Sequence, residues 1–216
     1  MGRITAEIRR LHEELPAGVR LVAVSKFHPL AELEEAYAAG QRLFGESRAD
    51  ELAAKAAAMP ADVEWHFIGH LQTNKVRRVV ACASVIESID SERLLRAVSD
   101  EAVRAGRRIR CLLQVHVAAE ETKTGFDPGE LVAAGRLGAT LPGIEIAGVM
   151  GMATNTSDAE RIAGDFDAIA AVGAQLRVFV PTATELSMGM SGDWPLAVER
   201  GATLVRIGTD IFGPRP

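Results

Sequence analysis

The chain has 216 residues, 48% apolar and 25% charged, with a formal net charge of -5. That is the balance of an ordinary globular protein. No run approaches the roughly 20 apolar residues of a membrane span, and residues 1–14 are charged and helix-patterned, without the core of a signal peptide. No run of basic residues appears, which argues against nucleic-acid binding, since that usually needs a basic face.

The two cysteines, Cys82 and Cys111, stand far apart and suit a reducing compartment, which points to the cytoplasm. Arginine dominates the cations. Lysines stand only at 26, 55, 75 and 123, so a lysine at a strand end asks for a specific reason.

In chain order, a first strand is expected over residues 21–24. It runs into Lys26 and is stopped by His28-Pro29. A helix follows, with Pro29 at its start and Gly40 at its end. A strand over 42–44 leads to Ser47 and Asp50, which resemble a capping box. The helix after it includes the alanine-rich run 53–58, a strong helix former, and stops at Pro60. Strands are expected over 65–68 and 84–86, then a helix opened by Asp90 or Ser91 and closed by Gly106. Arg107, Arg108 and Arg110 form the densest basic cluster, read as a solvated turn before a strand over 109–117.

Asp127-Pro128 opens another helix, a strand covers 144–150, and Ser157 with Glu160 is a second capping-box pattern. Residues 178–180 also look like a strand, but their following proline favours a connection. A strand over 186–190, a short helix behind Asp193 and a last strand over 203–207 complete the chain. Strands alternating with helices imply parallel pairing. Eight such units in 216 residues match a compact (β/α)8 TIM barrel, read as a single domain over residues 1–216. Counting 178–180 as a ninth strand would favour an open doubly wound sheet.

Active sites of such barrels lie at the C-terminal ends of the strands, where Lys26 stands. Burial or nearby cations lower a lysine's pKa, and a neutral amine can attack a carbonyl to form a Schiff base. The alternative is a lysine that snorkels to solvent. The loops after the last two strands, "SMGMSGD" (187–193) and "RIGTD" (206–210), carry Gly189, Gly192 and Gly208, which let backbone N–H groups approach an anion. Ser187, Ser191 and Thr209 add hydroxyl groups. An aldehyde-reactive lysine beside a phosphate cradle suggests pyridoxal 5′-phosphate.

The motifs "AVSK" (23–26), "FGES" (44–47), "WHFIGHLQTNK" (65–75), "ETKTGF" (121–126), "LSMGMSGD" (186–193) and "VRIGTDIFG" (205–213) resemble those of the pyridoxal phosphate homeostasis proteins, single-domain barrels of the alanine-racemase-like class, fold type III. The resemblance covers nearly the whole chain. It implies that Lys26 carries the Schiff base, that Arg206 approaches the pyridine nitrogen, and that Ser187, Met188, Gly208 and Thr209 hold the phosphate. Ser47 stands where the family commonly has asparagine, and His70 where it commonly has proline.

An arginine at the pyridine nitrogen does not readily give up a proton, so the ring is a weaker electron sink. Related racemases add a tyrosine from a second domain. The chain reads as ending without such a domain, and its one tyrosine, Tyr37, reads as a packing residue. The expected function is therefore a carrier that holds pyridoxal phosphate as a reversible lysine aldimine, serves vitamin B6 and amino-acid homeostasis, passes the cofactor to apo-enzymes and works as a monomer. The alternatives are a weak amino-acid racemase, or a barrel lyase or phosphosugar enzyme that uses Lys26 without the cofactor.

Other features read as structural. His66 and His70 share a strand face if the strand reaches both, but no third metal ligand is evident. His116 stands at the end of the fifth expected strand. Asn74 and Lys75 fit a helix surface, and Lys123 fits an exposed loop or a second contact to the cofactor.

Overall fold

A computed structural model describes residues 2–120 and 124–214. Among them, eight parallel strands close a barrel in chain order. The strands are β1 (Arg20–Val24), β2 (Leu43–Glu46), β3 (Glu64–Phe67), β4 (Val85–Ile89), β5 (Ile109–Gln114), β6 (Ile144–Met150), β7 (Glu185–Ser187) and β8 (Leu204–Ile207). Arg20↔Leu204 to Ala23↔Ile207 pair β1 with β8 and shut the ring.

Around it run α1 (Arg3–Glu14), α2 (Leu30–Ala38), α3 (Ala49–Ala58), α4 (Val76–Cys82), α5 (Glu92–Arg104), α6 (Pro128–Gly138), α7 (Ala159–Phe179), α8 (Trp194–Glu199) and α9 (Thr209–Phe212). Among the described residues no helix is long and apolar enough to cross a membrane.

The helices form where apolar residues recur on one face. In α5, Leu94, Leu95, Val98 and Ala102 are buried, and the Ser91 side chain accepts a hydrogen bond from the Leu94 N–H. Asp158 caps α7 by accepting from the Glu160 and Arg161 N–H groups, so that helix starts from Asp158 and not from a Ser157 box. Ser47 caps nothing: α3 begins after Arg48 without a side-chain cap bond. Residues 178 and 179 are the last turn of α7, and Val180 is its cap. The open nine-stranded alternative therefore has no strand there. β5 stops at Gln114, short of the expected 117, and β7 stops at Ser187, short of 190.

Inside the barrel, residues from alternate strands stack in layers, as in other barrels of this size. The lowest layer is charged. Arg20, Glu64, Arg110 and Glu185 come from β1, β3, β5 and β7. Each arginine lies between two glutamates: Arg20–Glu64 at 3.8 Å, Arg110–Glu64 at 3.6 Å, and Glu185 bonded to both arginines. Arg110 thus belongs to this ring and not to a solvated turn, while Arg107 donates to the Val80 and Ala83 carbonyls.

Above the ring lies an apolar layer that includes Leu43, Val85, Ala147 and Leu204. Two residues further along each strand, the same inward faces present Val22, His66, Leu112 and Ser187, then Gly45, Glu87 and Arg206.

One polar cluster lies outside the barrel, between β2 and α3. Lys55 on α3 donates to Glu46 at the end of β2, 2.7 Å away, with both side chains buried. Burial pushes the Glu46 carboxyl up to about 7, against the opposing pull of its Lys55 and Ser25 donors.

Two outcomes follow. Glu185→Gln removes the carboxylate shared by two arginines. It should cost about 2 kcal/mol, lowering Tm by about 4–8 °C on a thermal scan. For Glu46, a carboxyl raised in the folded state contributes stability that is complete below the unfolded value near 4.5 and is lost as pH rises through about 7. Urea unfolding at several pH values should therefore show the native protein losing on the order of 2–3 kcal/mol relative to Glu46→Gln across that window.

Candidate functional site

At the C-terminal end of the barrel a cavity of about 230 Å³ opens. Its polar groups come from two sides. Lys26 and His28 arrive on the turn after β1, and Arg206, Gly208 and Thr209 from β8 and the residues that follow it. Ser191 and Gly192 come from the loop after β7, and Val24, Ile68, Met150, Met152 and Met190 supply apolar wall. Lys26 is half-buried, two residues beyond the last residue of β1.

The loop after β7 reaches the cavity through a sharp turn. Gly189 has φ +93°, and a Cβ there would sit 2.6 Å from the Ala197 Cβ, so only glycine fits. The Asp193 carboxylate accepts from the Met190 N–H at 2.6 Å, and the Gly189 carbonyl accepts from the Arg206 N–H at 2.9 Å. The turn explains why β7 is short. It also explains why the hydroxyl brought to the cavity is that of Ser191. Ser187 and Met188 are fully buried beneath and are not among the lining residues.

Ser187 has a different set of contacts. Its Oγ donates to Glu87 Oε2 at 2.5 Å and accepts from Arg206 Nη1 at 2.6 Å. Arg206 Nη2 donates to the Gly151 carbonyl at 2.9 Å, and Glu87 lies 3.8 Å from Nη1. The other Glu87 oxygen meets His66 Nδ1 at 2.6 Å. Burial opposes every charge in this column. For Glu87, burial pushes the carboxyl up, but His66, Arg206 and Ser187 outweigh it and hold it below the usual carboxylate range. For His66, burial pulls downward and the two carboxylates Glu64 and Glu87 more than reverse it. Burial also lowers the Arg206 guanidinium, opposed by Glu87 and Asp193. The result is a guanidinium fixed at the cavity floor, with no freedom to swing away from what lies above it.

The remaining residues read from the sequence lie apart from this cavity. His70 is exposed and pairs with Asp90 at 3.1 Å, while His66 lies inside the barrel, so the two do not converge. His116 meets the Glu120 carbonyl at 3.0 Å and lies beyond the end of β5. Lys75 lies 3.6 Å from Asp50 on the surface. The Tyr37 hydroxyl donates to Asp62 at 2.8 Å on the outside of the molecule. Lys123, in the "ETKTGF" motif, lies outside the described residues.

His28 was not singled out as a site residue in the sequence. It is buried, bonded through Nδ1 to Glu32 at 2.9 Å and stacked on Phe212 with centroids 5.0 Å apart. Its position two residues after Lys26 was the available signal.

The model of the alanine racemase N-terminal domain matches residues 1–216. The pyridoxal phosphate homeostasis protein of Vibrio alginolyticus is 36% identical over 220 residues, covering 98% of this chain and 94% of that one. Its human counterpart is 36% identical over 228 residues, covering 99% of this chain and 83% of that one. The solved structure of PipY from Synechococcus elongatus, with pyridoxal phosphate bound, superposes with a TM-score of 0.91 at 41% identity, covering 97% of this chain and 100% of that one. A match along the whole chain, with relatives of this identity and coverage, means that the chain belongs to the alanine racemase N-terminal domain family, among the pyridoxal phosphate homeostasis proteins.

Proposed function

We propose that this chain binds pyridoxal 5′-phosphate in the cavity at the barrel mouth and serves as a carrier of the cofactor in vitamin B6 homeostasis. One observation carries the reading: an amine (Lys26), a guanidinium (Arg206) and a glycine–hydroxyl rim (Ser191, Gly192, Gly208, Thr209) surround the same cavity.

The donor set fits the group. A flat heteroaromatic ring suits the apolar wall made by Val24, Ile68 and the methionines. The rim suits a phosphate, because a Cβ on Gly208 would press on the Val24 carbonyl at 3.1 Å and one on Gly192 would fill open space beside the cavity. When bound, pyridoxal phosphate supplies an aldehyde that a lysine amine takes up covalently and reversibly, which suits a carrier.

In this reading Lys26 is the point of attachment. Arg206 faces the ring nitrogen, with Ser187 and Gly151 holding it there. Gly208 and Thr209 bind the phosphate together with Ser191. Ser187 and Met188 support that loop from below, in place of the direct phosphate contact that the resemblance implied. A guanidinium does not readily give up a proton to the ring, which leaves the ring a poor electron sink and argues against turnover. Tyr37 lies on the outer surface, away from a role as a second base.

A second reading, slow amino-acid racemisation, draws on His28, an imidazole in the cavity wall oriented by Glu32. Ser47 and His70, the departures from the family pattern, are not lining residues, and we propose that neither weakens binding. We further propose that the chain is one domain that acts as a monomer in the cytoplasm and passes the cofactor to apo-enzymes. Its two free cysteines agree with a reducing compartment.

The protein incubated with pyridoxal phosphate should turn yellow, and borohydride reduction with peptide mass mapping should place the label on Lys26. Lys26→Ala should abolish both, and a label elsewhere in the unaltered protein would refute the assignment. In deuterated water, L- and D-amino acids incubated with the loaded protein should keep their α-protons. Exchange that His28→Ala abolishes would establish the racemase reading instead.

A further inference from the structure

The turn that carries Lys26 is gripped on both sides by residues that do not line the cavity. On one side is Ser25, fully buried. Its carbonyl accepts from Lys55 Nζ at 2.7 Å, and its hydroxyl donates to Glu46 Oε1 at 2.6 Å. Lys55 closes the triangle by donating to the same Glu46 oxygen at 2.7 Å. On the other side is Phe27, whose N–H donates to Glu51 Oε2 at 3.0 Å. Glu51 in turn lies 3.5 Å from Lys55, one helical turn along α3. The β2–α3 unit therefore holds the residues immediately before and after Lys26.

Two features set this grip apart from ordinary packing. Phe27 has φ +70°, the one non-glycine residue with positive φ among those described. A bulky side chain is strained in that region and persists there only where surrounding contacts fix it. Lys55 is 8% exposed, although taking an ammonium out of water is costly unless strong partners replace the solvent. Both costs are borne at one turn, and the side chain between the two held residues, Lys26, reaches the cavity.

We propose that Lys55 is a positioning residue. Through Ser25 and Glu46 directly, and through Glu51 to Phe27, it fixes the backbone on either side of Lys26 so that the amine is presented to the aldehyde of the cofactor. The inference rests on the reading of Lys26 as the attachment point. Pre-ordering the turn removes the entropy cost of ordering it on binding, and charge-assisted hydrogen bonds to both flanks are the means.

The test compares the unaltered protein with two variants. Lys55→Met combined with Glu46→Gln removes the ammonium without leaving an unpaired buried carboxylate. Glu51→Ala, nearer the solvent side of α3, releases the Phe27 N–H and the 3.5 Å contact to Lys55, leaves the Ser25–Glu46–Lys55 triangle in place, and keeps the test open if the double variant does not fold. In each folded variant the Phe27 amide should lose protection against hydrogen exchange without ligand. The dissociation constant for pyridoxal phosphate should rise about tenfold. The pH midpoint of the yellow absorbance should move by about half a unit.

A lowered Tm with the dissociation constant and midpoint unchanged would make the cluster purely structural and overturn the proposal. If the unaltered protein carries no borohydride label at Lys26, the attachment itself is wrong and the proposal falls with it. A label at Lys26 with unaffected variants overturns the positioning role alone.

Discussion

A closed eight-stranded barrel has no room for water in bulk, so each inward side chain must find its partners among the inward side chains of other strands. Arg206 shows this constraint at its most severe. Its guanidinium is almost wholly buried near the top of the interior, where only a matched set of acceptors makes a buried cation tolerable. Ser187, the Gly151 carbonyl and Glu87 supply that set, and His66 answers the charge of Glu87 from one strand further round. His66 Nε2 lies 3.4 Å from Glu64 in the charged ring at the bottom. Charges therefore run in alternating sign from the base of the barrel to the cavity floor, and the floor cation is held rigidly as a consequence.

The same logic operates on the outside of the sheet. The lysine turn follows β1, where the barrel fold places reactive groups, but a turn is not rigid by itself. Its stiffness comes from β2 and α3, through a second buried set of opposite charges around Lys55 and Glu46. The cavity thus has one wall fixed from inside the barrel and one fixed from outside. Catalytic and binding groups need that kind of support more than they need extra contacts to a ligand.

The strand–helix alternation was legible because the strand cores are short apolar runs and the helices carry visible ends. The positions of Lys26, Arg206, Gly208 and Thr209 at strand C-termini were legible for the same reason. The charged ring was not. Arg20, Glu64 and Glu185 are the first residues of their strands, and apolar runs alone place the strand starts one residue later, leaving the charges outside. The signal was a charged residue of alternating sign just ahead of or within every odd-numbered strand. Ser187 reads as a rim residue because it stands in a glycine- and hydroxyl-rich run that resembles a phosphate loop. The positive φ of Gly189 ends that strand early and leaves Ser191 at the cavity. Lys55 was hidden in an alanine-rich helix, whose composition reports helix propensity and says nothing of what its single cation faces.

The central claim is that one molecule of pyridoxal phosphate bridges Lys26 and Arg206 across this cavity. The most direct measurement is a crystal structure of the protein grown with the cofactor. The account predicts continuous electron density from Lys26 Nζ into the cofactor, the ring nitrogen facing the Arg206 guanidinium, and the phosphate against Ser191, Gly208 and Thr209. Density that leaves Lys26 untouched, or that turns the phosphate toward Arg206, would contradict it.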